Sequence, residues 1–325
     1  MKKAFIPLLF TLVSANSFAI QDGTPINWND KNDLVTFNCT GTIIAGKYVF
    51  TAAHCQEDQF IQFSDNTWQA AVSRTDHPEY ANNSGYDVSF LYLENIAKTS
   101  SIHFFSNLAN NNINDKDLLL MNGFGGTTSL NQAQFEIDGN YTYPGQSMLM
   151  KGLFIGKGTS TRGDSGAPYL NTSNEIFSLH KSGTPNYVIG TNLHYAKDFI
   201  LDTINGWHYP TVANTTSGQV TIKVQSLHQS PVVDSAYTSG DAQIIGGTCQ
   251  SAGPLNAFAT CDYIIESQGG EGTLHLSGTE SITINPQTNS GGNNGNESSG
   301  GGGSFGLASG LVLLGLGYRR RLKKG

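Results

Sequence analysis

Short runs of β-branched and aromatic residues, separated by glycine and polar residues, recur along most of the chain. Between residues 20 and 207 this pattern predicts strands. The runs are GTIIAGKYVFTAAH, QFIQF, DVSFLYL, LLLMNGFGG and EIFSLH. We therefore expect this region, bounded as residues 20–211, to form an all-β domain.

One segment near the end of that domain has helical spacing instead. In HYAKDFILDTING the apolar side chains fall on one face, and Gly206 follows as a stop signal. The apolar positions are Ala196, Phe199, Ile200 and Ile204. A single helix is thus expected to close the domain.

A second series of short strands occupies residues 212–286, in the runs GQVTIKVQSL, AQIIGG, FATCDYIIES and GTLHLSGTESITI. A segment of this size suits a small, immunoglobulin-like β-sandwich. It contains no constellation of Ser, His and Asp, so we expect it to serve binding or stabilisation.

The two ends of the chain have other patterns. Residues 1–19 combine two lysines, an apolar run and small residues before a cut at Ile20, which predicts a secretory signal peptide; the alternative is a first core helix. Residues 287–304 are rich in Gly, Asn and Ser and predict a flexible linker. Residues 305–325 are an apolar run followed by RRRLKKG, which favours a membrane-directed segment over a terminal core segment.

Charge and cysteine content narrow the possible functions. Seven of the 18 basic residues lie in the two terminal segments, so the body carries 11 basic against 25 acidic residues. An acidic body argues against a nucleic-acid partner. The cysteines form two close pairs, Cys39 with Cys55 and Cys249 with Cys261, without the CxxC spacing of a zinc site. Three disulfide connectivities are possible, and two short-range bridges are the simplest.

The stretch TRGDSGAPYL contains a candidate nucleophile, Ser165. Its flanking glycines allow a tight turn, so that the N–H groups of Gly163 and Ser165 can converge on one point. By itself GDSG could be an ordinary turn, because nucleophilic attack also needs a base and a group that orients the base. His54 in TAAHC and Asp87 in DVSFLYL are the candidates for these two tasks.

Taken together, TAAHC, DVSFLYL and GDSGAP resemble the trypsin/chymotrypsin family of serine endopeptidases, in that family's order of His, Asp and Ser. NGFGGTT, around Gly123 and Gly125, and IFSLH resemble two further phrases of the family. The resemblance implies a chymotrypsin-like double β-barrel with a C-terminal helix, here followed by the small sandwich.

The resemblance also implies a role for each candidate. His54 would be the general base, Asp87 would orient it, and Ser165 would form the acyl-enzyme. The N–H groups of Gly163 and Ser165 would bind the oxyanion, and no metal or organic cofactor is required.

A further implication concerns Ile20. In the family, a newly freed N-terminal Ile or Val inserts beside the Asp that precedes the nucleophile, which is Asp164 here. IQDG resembles the family's Ile-Val-Gly-Gly start and keeps Gly23. Because the predicted signal cut lies between Ala19 and Ile20, we hypothesise that export itself activates the enzyme, without a propeptide.

Specificity departs from the trypsin pattern. The base of the primary pocket lies six residues before the nucleophile in the family, which is Thr159 here, so a restriction to Arg and Lys is not expected. The same comparison assigns Ser178, Leu179 and His180 to the substrate strand, with His180 at the pocket mouth in place of a glycine. His180, followed by Lys181, then predicts a narrowed pocket, or one that takes small, polar or acidic side chains.

Residues 298–325 resemble the GlyGly-CTERM sorting signal of Gram-negative bacteria. This implies that an intramembrane rhomboid-type protease cuts the tail and that the body reaches the cell surface or medium, often by type II secretion. Expected partners are therefore a protein or peptide substrate, the secretion machinery and that protease, with transient or lipid-mediated membrane attachment. The alternative function is a surface adhesin on a protease-fold scaffold, which the complete set of triad residues disfavours.

Overall fold

The structure is a computed structural model, and it describes residues 20–55, 60–81, 85–111, 113–140, 148–216 and 218–287. The predicted signal peptide, the linker after Gln287 and the tail lie outside the described residues. Among the described residues strands dominate, and no helix is long and apolar enough to cross a membrane.

Six antiparallel strands close into a first barrel. They follow a short strand β1 (Thr24–Pro25), which pairs with the second barrel. The six are β2 (Leu34–Phe37), β3 (Cys39–Ile44), β4 (Tyr48–Thr51), β5 (Phe60–Gln62), β6 (Trp68–Asp76) and β7 (Ser89–Leu93). Their order around the barrel is β2-β3-β4-β7-β6-β5. Val35, Ile43 and Leu91 are buried in its interior, as expected for a small barrel that is filled by side chains.

Six further antiparallel strands form the second barrel. They are β8 (Leu118–Gly123), β9 (Asn131–Asn140), β10 (Leu149–Phe154), β11 (Pro168–Leu170), β12 (Ile176–Gly183) and β13 (Tyr187–Asn192). The order is β9-β10-β13-β12-β11-β8, and pairing of β8 with β9 completes the ring. Phe135 and Tyr169 pack edge to face in its core, with ring centroids 4.7 Å apart. The expected double β-barrel is confirmed.

The predicted closing helix is also present. A 3-10 turn (Leu193–Ala196) leads into the helix α1 (Lys197–Ile204), whose Phe199 and Ile200 are buried. The helix ends at Asn205, which adopts a left-handed conformation and donates its N–H to Leu201 O. The stop therefore comes one residue before the expected Gly206.

Two four-stranded sheets form a sandwich after the helix. The strands are β14 (Trp207–His208), β15 (Val212–Ala213), β16 (Gln219–Ser226), β17 (Tyr237–Gly240), β18 (Gln243–Gly246), β19 (Thr260–Glu266), β20 (Gly272–His275) and β21 (Ser281–Ile284). One sheet has the order β14-β16-β19-β18 and the other β15-β21-β20-β17. A disulfide joins Cys249 to Cys261 in their shared core. Because β14 belongs to the first sheet, the sandwich begins a few residues before 212.

His208 on β14 connects the sandwich to the barrels. Its buried imidazole Nδ1 accepts the N–H of Ala45 at 3.1 Å, and its Nε2 donates to the carbonyl oxygen of His103 at 3.0 Å. One ring nitrogen accepts and the other donates, so the ring is neutral. Burial lowers the pKa of His208 to about 4.

Acid should therefore weaken the fold through His208. Its folded pKa lies below its ordinary value of 6.5, so its contribution is complete above that value and is lost as the pH falls toward about 4. His208→Gln keeps a hydrogen-bond donor and an acceptor but does not titrate. When the pH falls from 7.5 to 5, we expect the free energy of unfolding to decrease by about 2 kcal/mol less in His208→Gln than in the unmodified chain. Denaturant unfolding at the two pH values measures this, with His275→Gln as the control. An equal loss in the unmodified chain and His208→Gln would contradict the assignment.

Candidate active site

The loop between β10 and β11 holds Ser165 in a conformation that depends on two glycines. Gly163 has φ of 102° and Gly166 has φ of 81°, values that residues with a side chain rarely adopt. A Cβ atom at Gly163 would lie 2.0 Å from the nitrogen of Gly126, and one at Gly166 would lie 2.2 Å from Thr51 Oγ1. The tight turn inferred from the sequence is thus required sterically.

Thr40, on β3 of the first barrel, anchors this loop. Its N–H donates to Ser165 O at 2.9 Å, and its hydroxyl donates to Gly163 O at 3.1 Å. The backbone N–H groups of Gly163 and Ser165 have no hydrogen-bond acceptor within the described part of the chain. Both are available to a bound oxygen atom.

His54 lies in the turn after β4 and is held on both sides. The Cys39–Cys55 disulfide, one of the two short-range bridges expected, ties the next residue to β3. The guanidinium of Arg74 donates to the carbonyl oxygens of Ala53 and Cys55. The backbone that carries the imidazole is therefore braced by a covalent bond and by two hydrogen bonds.

The structure brings His54, Asp87 and Ser165 together. His54 Nδ1 lies 2.7 Å from Asp87 Oδ2, and His54 Nε2 lies 2.7 Å from Ser165 Oγ. The backbone N–H of His54 also donates to Asp87 Oδ1 at 2.9 Å. Because a carboxylate only accepts hydrogen bonds, Nδ1 carries the proton, and Nε2 is left to accept the hydroxyl proton of Ser165.

Asp87 precedes β7 and its side chain is fully buried. Burial raises the pKa of Asp87, but the hydrogen bonds and charge of His54 and the ammonium of Lys181 outweigh burial and lower the pKa overall. Asp87 is therefore a carboxylate at neutral pH, compensated by donors on two sides.

The side chain of Asp164, in the nucleophile loop, is also buried. Oδ1 accepts the N–H of Gly125 and Oδ2 that of Thr161, each at 2.8 Å, and the backbone of Ile20 donates a further hydrogen bond. A Cβ at Gly123 would lie 2.4 Å from Oδ1, so the NGFGG phrase lies against this side chain. Burial raises the pKa of Asp164 to about 6 in spite of these donors.

Ile20 is fully buried next to Asp164, so the structure places this predicted pair together. Its φ of 27° is unusual for a β-branched residue. Gln21 O accepts the N–H of Thr159 at 2.9 Å, which ties the start of the described chain to the half-buried Thr159.

The expected lining of the substrate strand needs correction. Ser178 and Leu179 are fully buried, and His180 is only 3% exposed. The imidazole of His180 is hydrogen-bonded to the hydroxyl of Tyr169 at 2.6 Å, and burial lowers the pKa of His180 to about 3. His180 is thus a neutral core residue and not a cationic wall at a pocket mouth.

Backbone pairing explains the difference. His180 exchanges hydrogen bonds with Gly166 and Ala167, directly behind the nucleophile loop, so its side chain points into the barrel. The pairing of β12 with β13 shifts between His180 and Ser182, so Lys181 lies at a β-bulge, and its ammonium group contacts Asp87. A Cβ at Gly183 would lie 2.3 Å from Ser160 Oγ.

The residues of β12 that are not buried are Lys181 to Gly183. Gly183 lies against Ser160, the residue that follows Thr159. The glycine of HKSG was a signal for this placement, whereas nothing in the local sequence indicated the contact of Lys181 with Asp87. No group of three or more His, Cys, Asp or Glu side chains that could hold a metal ion occurs among the described residues.

The first part of the chain matches a known protein family. A family model described as Trypsin matches residues 20–200, a range that contains His54, Asp87 and Ser165. The structure of the Vibrio cholerae VesB protease is similar, with 17% identity, a TM-score of 0.48, and coverage of 82% of this chain and 98% of that one. The secreted serine protease VesC from Vibrio cholerae has 16% identity, a TM-score of 0.46, and coverage of 81% and 70%. A search of curated proteins found no match.

Proposed function

The chain belongs to the trypsin family and is a serine endopeptidase, and we propose that His54, Asp87 and Ser165 are its catalytic triad. The observation that carries this proposal is the continuous chain of contacts from carboxylate to imidazole to hydroxyl, each of 2.7 Å. Its substrates are proteins or peptides.

In the proposed reaction the imidazole of His54 acts first as a base and then as an acid in each half-reaction. His54 Nε2 takes the hydroxyl proton as Ser165 Oγ attacks the peptide carbonyl carbon, and it gives that proton to the leaving amine. Asp87 holds the required tautomer and stabilises the imidazolium. A water molecule, deprotonated by the same imidazole, then attacks the acyl-enzyme, and the imidazole returns that proton to Ser165 Oγ as the acid product leaves.

We assign the oxyanion site to the N–H groups of Gly163 and Ser165. Their support is the fixed loop conformation and the absence of any other acceptor for these N–H groups among the described residues. Donors held in place before the reaction stabilise the developing negative charge without reorganisation.

A fluorophosphonate probe tests the proposal directly, because it reacts with an activated serine and not with an ordinary one. The unmodified protein should be labelled, and peptide mapping should locate the label at Ser165. A folded protein without label would favour the alternative, a binding protein on a protease scaffold.

We propose a specificity that is not restricted to Arg and Lys. Thr159 brings no negative charge to the position that the family resemblance gives to the pocket base, and Gly183 leaves the neighbouring wall free of a side chain. A peptide-library cleavage profile should therefore lack dominance by Arg or Lys before the cut. Thr159→Asp should raise the share of cleavage after these two residues. A library profile of the unmodified enzyme dominated by Arg and Lys would contradict the proposal.

We further propose that the protein acts outside the cytoplasm. The two disulfides are typical of an oxidising compartment. The signal-like residues 1–19 and the GlyGly-CTERM-like tail, residues 298–325, would provide export and surface sorting. The tail would be removed by an intramembrane protease after transport.

A further inference from the structure

A lysine touches the carboxylate that orients the imidazole. Lys181 Nζ lies 3.1 Å from Asp87 Oδ2, and the same oxygen lies 2.7 Å from His54 Nδ1. The Asp87 side chain is fully buried and that of Lys181 is 16% exposed. One carboxylate oxygen therefore bridges an imidazole and an ammonium ion that is largely shielded from solvent.

The position of Lys181 follows from the fold. His180 is fixed in the barrel by its backbone bonds to Gly166 and Ala167 and by its ring contact with Tyr169. The pairing of β12 with β13 shifts between His180 and Ser182, and the side chain of Lys181, at this bulge, lies next to the triad. The contact thus arises at a bulge within a strand whose residues on both sides of Lys181 pair with β13.

We propose that Lys181 is a positioning residue that sets the lower pH limit at which His54 can act as the general base. The inference rests on the proposed function of the triad. A protonated His54 imidazole would share the Asp87 carboxylate with the ammonium of Lys181. Two positive charges that contact the same carboxylate oxygen repel each other, which disfavours protonation of the imidazole. Lys181 therefore keeps His54 in its proton-accepting form at lower pH than Asp87 alone would allow.

The other ionisable groups around the pair do not supply this effect. Arg74 is neutralised by Asp76, at 2.6 Å. Burial raises the pKa of Tyr80 and lowers the pKa of His180 to about 3, so both are uncharged near neutral pH. Among the described residues at the site, Lys181 is the cation in direct contact with Asp87.

Two substitutions separate charge from packing. Lys181→Met keeps most of the apolar stem and removes the charge, whereas Lys181→Arg keeps the charge. In the processed protein, the acid limb of the kcat/KM profile against pH should move up by about one pH unit in Lys181→Met. In Lys181→Arg it should stay near that of the unmodified enzyme.

A purely structural role for Lys181 predicts a different result. The thermal midpoint of Lys181→Met would fall, while the acid limb would stay in place. An unchanged limb in an active Lys181→Met enzyme overturns the inference, as does an equal shift in both variants.

A second readout does not need turnover. In the inactive Ser165→Ala background, NMR follows the titration of the His54 imidazole with and without Lys181→Met. The midpoint should rise by about one pH unit on removal of the charge, and equal midpoints refute the coupling. If the unmodified protein takes no fluorophosphonate label but the midpoint moves, the proposed function fails and the coupling of Lys181 to His54 stands.

Discussion

Ser165→Ala is expected to lower kcat on the order of 10⁶-fold, because residues of a triad act as a unit. Without Oγ no acyl-enzyme can form, and only water bound near the oxyanion site remains as a nucleophile. Initial rates on a peptide substrate, together with labelling by the fluorophosphonate probe, measure the effect. Both should be lost.

Ser173→Ala provides the matched control. Ser173 is exposed in the turn between β11 and β12, where its N–H, and not its hydroxyl, is hydrogen-bonded to Asn171. This variant should keep the rate and the label. If Ser165→Ala, folded to the same thermal midpoint, retained activity within tenfold of the unmodified enzyme, Ser165 would not be the nucleophile.

The residues of the triad could be predicted because each lies in a local phrase with its own physical reason. Glycines on both sides of Ser165 permit the turn, and the Cys pair around the His54 segment closes a short loop. Their meeting in space followed from the order of the phrases and not from any one phrase. The double barrel, the closing helix and both disulfides were also predictable, because each leaves a pattern or a spacing in the local sequence.

The side of β12 that faces the triad could not be predicted from the local sequence. All five residues from Ile176 to His180 are buried, so the usual alternation of exposed and buried positions is absent there. The pairing of His180 with the nucleophile loop decides which side chains point inward, and this pairing is a tertiary property. Lys181 and Asp87 are 94 residues apart in sequence, so their contact has no local signal.

The second large effect concerns the N-terminus. A protein that begins at Ile20 is expected to have a kcat 10² to 10³-fold higher, to an order of magnitude, than the same protein with one extra residue before Ile20, about the effect of one oxyanion donor. In the extended chain the nitrogen of Ile20 is an uncharged amide that donates to Asp164. The buried carboxylate then has hydrogen-bond donors but no positive partner.

The pKa of Asp164 gives the size of the effect. A rise from 3.8 to about 6 corresponds to about 3 kcal/mol against the ionised form in the extended chain. This cost develops as the pH rises from about 4 to about 6 and is complete above that range. A free α-ammonium at Ile20 would pair with the carboxylate and would also relieve the unusual φ of 27°. The loop that carries Gly163 and Ser165 would then keep its conformation without this cost.

Three measurements decide this hypothesis. N-terminal sequencing of secreted protein should show a start at Ile20, and any other start contradicts activation by export. As the pH rises from 4 to 6, the free energy of unfolding of the extended form should fall relative to that of the form that begins at Ile20. In an Asp164→Asn background no carboxylate is left to pair, so the extra residue should change kcat little. Asp164 and the oxyanion donors are adjacent in one loop, so the extra residue could also disturb that loop sterically. If the extension lowered kcat just as much in the Asp164→Asn background, it would act by this steric disturbance and not through the ion pair.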